Sequence, residues 1–117
     1  MQVRVEERGD VRIVRVLEPK LTYPILSPFF EAVKVLIEGG ARKVLLDLRA
    51  VSYMDSASIG CLMDIHRLLR EKDGVVRLVG LQPRVETMIS MTGVLKILEA
   101  YREEGEAVAA FASVQGG

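Results

Sequence analysis

The run Lys43 to Leu48 is almost unbroken in its apolar character, and it leads through Ser52-Tyr53-Met54-Asp55 into a helical pattern from about Ala57 to Lys72. A strand without polar alternation has to be covered on both faces, because either face left open would put apolar side chains in water. The helix that follows supplies one of those covers. Central strand and crossover helix together confine the chain to the α/β class, with parallel neighbours joined by right-handed helical connections.

The flanking segments fill in this plan. Val3 and Val5 alternate with Gln2, Arg4 and Glu6, and after Gly9-Asp10 the run Val11, Ile13, Val14, Val16, Leu17 resumes, which predicts a hairpin. Between Ser27-Pro28 and Gly39-Gly40, Phe29, Phe30, Ala32, Val33, Leu36 and Ile37 recur at helical spacing. The second helix stops at Asp73-Gly74, Val75 to Val79 reads as a further strand, and Gln82-Pro83 opens a third helix through Ile89. Thr92-Gly93 breaks that helix, Val94 to Leu98 suits strand or helix equally, and Glu103 to Ala112 reads as a closing helix. The sum is a mixed four- to five-stranded sheet with about four helices, in a single domain spanning 1–117 with a frayed tail at about 113–117. A chain of 117 residues fits one domain.

Charge and composition then exclude partners. Lys plus Arg (16) cancel Asp plus Glu (16), which removes the positive field that nucleic acid or an anionic membrane attracts. The longest apolar stretch, Ala107 to Ala112, is far short of the roughly 20 residues needed to span a bilayer, and no apolar signal follows Met1. A cytoplasmic protein with no nucleic-acid partner and no membrane insertion is expected. One cysteine, Cys61, makes no internal disulfide, and with one histidine, His66, it builds no structural zinc site, so neither metal nor cofactor is expected.

The informative stretch is Met54-Asp55-Ser56-Ala57-Ser58-Ile59-Gly60, which joins the buried strand to the second helix at the end of an α/β sheet where ligands and partners gather. Asp55 and Ser56 suit the capping of first-turn amides. The same helix mouth, with exposed amides and partial positive charge, stabilises an added phosphate, which makes Ser56 a phosphoacceptor candidate. On a helical wheel Cys61, Leu62, Ile65, Leu68 and Leu69 face the sheet, whereas Ile59, Met63, Arg67 and Arg70 lie opposite. Ile59 and Met63 are then an apolar patch near Ser56 for a docking partner. Met88 and Met91 suit core packing, and Glu99, Glu103, Glu104 and Glu106 suit a solvated face.

Catalysis fits poorly. His66 lies ten positions after Ser56 on one helix, about 15 Å along its axis and far beyond hydrogen-bond reach. A nucleophile elbow needs glycine two before and two after the serine, and Ser58 has Gly60 after it but Ser56 before it; no phosphate-binding Gly-Lys-Ser or Gly-Lys-Thr loop occurs. The expected protein is not an enzyme.

Val51-Ser52-Tyr53-Met54-Asp55-Ser56, with Ile59-Gly60 and later Met91-Thr92-Gly93-Val94, resembles the STAS domain of bacterial anti-sigma factor antagonists across nearly the whole chain. In that family the serine after the aspartate, here Ser56, is phosphorylated by an anti-sigma factor serine kinase. The unphosphorylated form binds the kinase and frees a sigma factor, and a metal-dependent serine phosphatase removes the mark. The resemblance implies a partner surface built from Thr22, Asp55, Ala57, Ser58, Ile59, Met63 and Arg67. Ala57 and Ser58 stand where relatives carry Ser or Thr then Gly, which makes Ser58 an alternative acceptor. Pro19-Lys20-Leu21-Thr22 stands where relatives carry Gly-Glu-Leu-Asp, so Thr22 replaces an acidic contact. The other reading of the same fold is an unswitched scaffold or accessory subunit of a signalling or lipid-transport assembly.

Overall fold

The computed structural model describes residues 2–113. The predicted hairpin is β1 (Val3–Arg8) and β2 (Val11–Val16), paired antiparallel around Gly9-Asp10. A two-residue strand, β3 (Lys20–Leu21), and a 3-10 turn at Tyr23–Ile25 lead into α1 (Leu26–Glu38). The apolar run is β4 (Lys43–Asp47), and the Ser52–Asp55 segment holds another short strand, β5 (Tyr53–Met54), before α2 (Ser56–Arg70). Then come β6 (Val75–Val79), α3 (Pro83–Ser90), β7 (Ala100–Tyr101) and α4 (Glu104–Ala110). The segment read as strand or helix is neither in full: Val94–Lys96 forms a 3-10 turn entered through Gly93 at φ 80°. The closing helix ends at Ala110, and a 3-10 turn follows at Phe111–Ser113, so the predicted tail beyond Ser113 lies outside the described residues.

The five-stranded sheet runs β1-β2-β4-β6-β7, with β1 antiparallel and the other neighbours parallel. β4 is central, and its apolar run is explained by covers on both sides. Val44 and Leu46 join the larger core with Phe29 and Val33 of α1, Leu62 and Ile65 of α2, and Val85 and Ile89 of α3. Leu45 faces the other way and packs with Val11, Ile13, Val79, Ala107 and Phe111 beneath α4. At about 25 cal/mol per Å² of apolar surface, burial of these two layers is the main force holding the helices to the sheet.

On the α4 side, one guanidinium ties four elements together. Arg15 of β2 grips both carboxylate oxygens of Glu6 in β1 at 3.0 Å, and its Nη1 lies 2.6 Å from Asp47 Oδ2 at the end of β4 and 2.6 Å from Glu104 Oε1 in α4. Arg8 adds a second contact to Glu104 at 3.1 Å. Glu104 therefore belongs to a part-buried ion network, which corrects its expected place on a solvated acidic face. Met91 is also corrected: it is 82% exposed rather than packed in the core, because the helix has ended at Ser90 and the chain turns away there.

The stop of α2 at Asp73-Gly74 has a particular cause. The left-handed residue is Asp73 (φ 61°), while Gly74 is required by close approach, since a Cβ there would sit 2.7 Å from the Arg42 carbonyl and from a Leu69 methyl.

Candidate functional site: the mouth of α2

β4 delivers the chain to the carboxyl edge of the sheet, and β5 then pairs in parallel with β3, Lys20 opposite Tyr53 and Leu21 opposite Met54. This small second sheet brings Thr22 and Tyr23 beside Asp55. Asp55, extended at φ −99° and ψ 176°, is the N-cap of α2, and its Oδ1 accepts the Ser58 N–H at 2.8 Å. Its Oδ2 accepts the Tyr23 N–H at 2.9 Å, so one carboxylate ties the starts of two helical segments. Burial works to raise the Asp55 carboxyl, but the Tyr23 and Ser58 amides outweigh it and hold the group below the ordinary aspartate value. Asp55→Ala is expected to lower stability by about 2 kcal/mol, a helix cap plus a second orphaned amide, as measured by urea unfolding; Asp55→Asn is expected to recover part of it.

Ser56 is the first residue of α2 and exposed, and among the described residues its hydroxyl makes no hydrogen bond. It does not cap; Asp55 does. Ala57 is exposed beside it, and Thr22 is half-buried ahead of the 3-10 turn. Ser58 is fully buried, with its hydroxyl donating to the Asp55 carbonyl at 2.7 Å. That position corrects two expectations, since Ser58 offers no hydroxyl to a kinase and no side chain to a docking partner. Ile59 needs the same correction: at 7% exposure it belongs to the larger core and offers no open apolar side chain to a partner. Met63 is half-buried against that core, and Arg67 is exposed, paired with Asp64.

The apolar surface near Ser56 lies instead on the other flank. A groove of about 470 Å³ runs between the Tyr23 turn, α1 and α2, lined chiefly by Tyr23, Pro24, Leu26, Phe30, Ala57 and Cys61. Tyr23 is 74% exposed. Sequence reasoning missed this groove; its signal was the Tyr23-Pro24 pair ahead of the first helix, an apolar couple with no periodic partner. Cys61 forms part of the floor, and burial, with Asp64 nearby, pushes its thiol up to about 11, far from a reactive thiolate. His66 is half-buried, and burial, helped by Arg70 and Arg67, lowers its pKa and favours the neutral ring.

The chain belongs to the STAS domain family, whose model matches residues 2–107 and so takes in the sheet, the helix mouth and the groove. The curated "Anti-sigma F factor antagonist" of Paenibacillus polymyxa is 24% identical over 111 residues, covering 92% of each chain. Among solved structures, an anti-sigma factor antagonist from Mycobacterium paratuberculosis superposes with a TM-score of 0.86 at 20% identity, over 96% of this chain and 94% of that one. The Bacillus cell fate determinant SpoIIAA in its phosphorylated form gives 0.71 at 18% identity, over 93% and 98%. Among the described residues no helix is long and apolar enough to cross a membrane.

Proposed function

We propose that this chain is an anti-sigma factor antagonist: a cytoplasmic, non-catalytic module that binds an anti-sigma factor serine kinase while Ser56 is unmodified, and releases it once Ser56 is phosphorylated. Sequestering the kinase leaves a sigma factor free, the nucleotide resides in the kinase, and a serine phosphatase resets the module. The observation that carries the reading is the exposed, unbonded Ser56 hydroxyl on the first turn of α2, next to an apolar groove. The name of the Paenibacillus relative and the phosphorylated state of SpoIIAA point the same way.

The chemistry is consistent at both ends of the cycle. A phosphate on Ser56 gains from the first-turn amides and the positive end of the helix, so the modified protein stays folded. The same group places about 1.5 to 2 negative charges next to ionised Asp55, on a surface that must lose water when a partner docks. The partner surface on this reading is Thr22, Asp55, Ala57, Met63 and Arg67 together with the groove.

The test is affinity capture from the source cell followed by intact-mass analysis with and without ATP. The expected result is a co-purified kinase and an ATP-dependent gain of one phosphate that Ser56→Ala abolishes. Recovery as an unmodified subunit of a stable assembly would overturn the reading.

A further inference from the structure

We propose that the free edge of β1 pairs with β1 of a second copy of this chain, antiparallel about a two-fold axis centred on Val5. β1 is the outermost strand of the five-stranded sheet, and Arg4, Val5, Glu7 and Arg8 are exposed along it. An open strand edge presents unpaired N–H and C=O groups and accepts another strand unless something prevents it.

Backbone direction limits the registers available. The Leu17 N–H bonds the Gln2 carbonyl, and β1 and β2 pair one-to-one without a bulge from Val3↔Val16 to Arg8↔Val11. In an antiparallel ladder the residues bonded to one neighbour alternate, so even-numbered residues of β1 bond β2, and Val3, Val5 and Glu7 point their amides outward. A second β1 therefore bonds only with odd residues opposite odd residues.

Charge selects among the registers that remain. Centred on Val5, the pairing sets Val5 against its own copy, Val3 against Glu7, and Arg4 against Glu6 twice. Sliding by two residues in one direction sets Arg4 against Arg4. Sliding by two in the other sets Glu6 against Glu6 and Arg4 against Arg8. Like charges directly opposite each other destabilise a pair, so of these three registers the one centred on Val5 is favoured, and longer slides pair less of the strand.

Two further observations agree with it. Glu6, Glu7 and Arg8 each have an ion-pair partner within the chain (Arg15, Arg12 and Glu104), but Arg4 has none among the described residues. Val5 is 42% exposed on the face where Val14 and Val16 enter the larger core, so pairing with its copy extends an apolar stripe already present. In the paired form Arg4 reaches Glu6 of the second copy and lengthens the Arg15 network across the junction.

The experiment is sedimentation equilibrium of the full chain from micromolar to millimolar concentration. A reversible monomer–dimer equilibrium is expected. Arg4→Glu and Glu6→Arg alone are each expected to weaken it about tenfold, because each turns two attractive pairs into repulsive ones. An equimolar mixture of the two variants restores attraction at both positions and is expected to form the heterodimer. Val5→Pro, whose N–H faces away from β2, is expected to fold, as judged by circular dichroism, yet remain monomeric. It keeps the test decisive if Glu6→Arg fails to fold without its contact to Arg15. A wild-type chain that stays monomeric throughout, or a dimer indifferent to Arg4→Glu and Val5→Pro, overturns the proposal.

Discussion

On the function proposed above, Ser56→Asp is expected to bind an anti-sigma factor kinase about a hundredfold more weakly than the unmodified chain, and Ser56→Ala to bind it constitutively, with or without ATP. The reason is local. Ser56 stands exposed on the first turn of α2, directly after Asp55, whose carboxyl is held ionised by the Tyr23 and Ser58 amides. A carboxylate at Ser56 puts a second anion beside it, and docking strips water from both unless the partner supplies a cation. A penalty of about 2.8 kcal/mol, within the cost of leaving a charge desolvated and unpaired, corresponds to a hundredfold. Alanine removes the hydroxyl and adds no charge, and the structure gives that hydroxyl no bond to lose. Titration calorimetry at physiological salt measures both affinities; equal values would remove the switch.

The second large effect concerns the fold. Arg15→Met is expected to cost about 3 kcal/mol, because Asp47, Glu6 and Glu104 lose their shared cation while Asp47 stays only 6% exposed. Urea unfolding reads it as a lower midpoint with an unchanged slope, and a shift within the scatter of ordinary surface substitutions would show the network to be incidental. Acid makes the same point in the wild type. Hydrogen bonding to Arg15 holds the Glu6 and Glu104 carboxyls below the ordinary glutamate value. Groups lowered in the folded state contribute stability that is complete above the unfolded pKa and lost as pH falls through the folded one. The decline in stability below about pH 4 is therefore expected to flatten in Arg15→Met.

What could be read in advance follows the range of each interaction. The hairpin, both long helices, β4, β6 and the proline-led start of α3 came from periodicity and capping, which act within a few residues. β3, β5 and β7, two residues each, have no periodicity to show, and they exist only because a distant strand bonds them. The contact from Arg15 to Glu104 spans 89 positions, so Glu104 read as one more exposed acid. Ile59 fell on the outer arc of a wheel that knew only the sheet, whereas in the fold α2 also packs beside α1 and Ile59 is enclosed in the larger core. At the candidate site, Asp55 and Ser56 were legible because cap and first-turn positions are local. The groove was not, since it needs Tyr23 and Ala57, far apart in sequence, to be neighbours in space.

The clasp formed by Asp55 has a consequence for how specificity can change. With one carboxylate oxygen on the Tyr23 amide and the other on the Ser58 amide, a single side chain ties the rim of the groove to the first turn of α2. On the function proposed above, a phosphate at Ser56 would need no relay through the domain, because its charge would stand at the docking surface itself. Side chains such as Tyr23, Pro24 and Phe30, which take no part in that clasp, would then be free to diverge toward a different partner without disturbing the proposed switch.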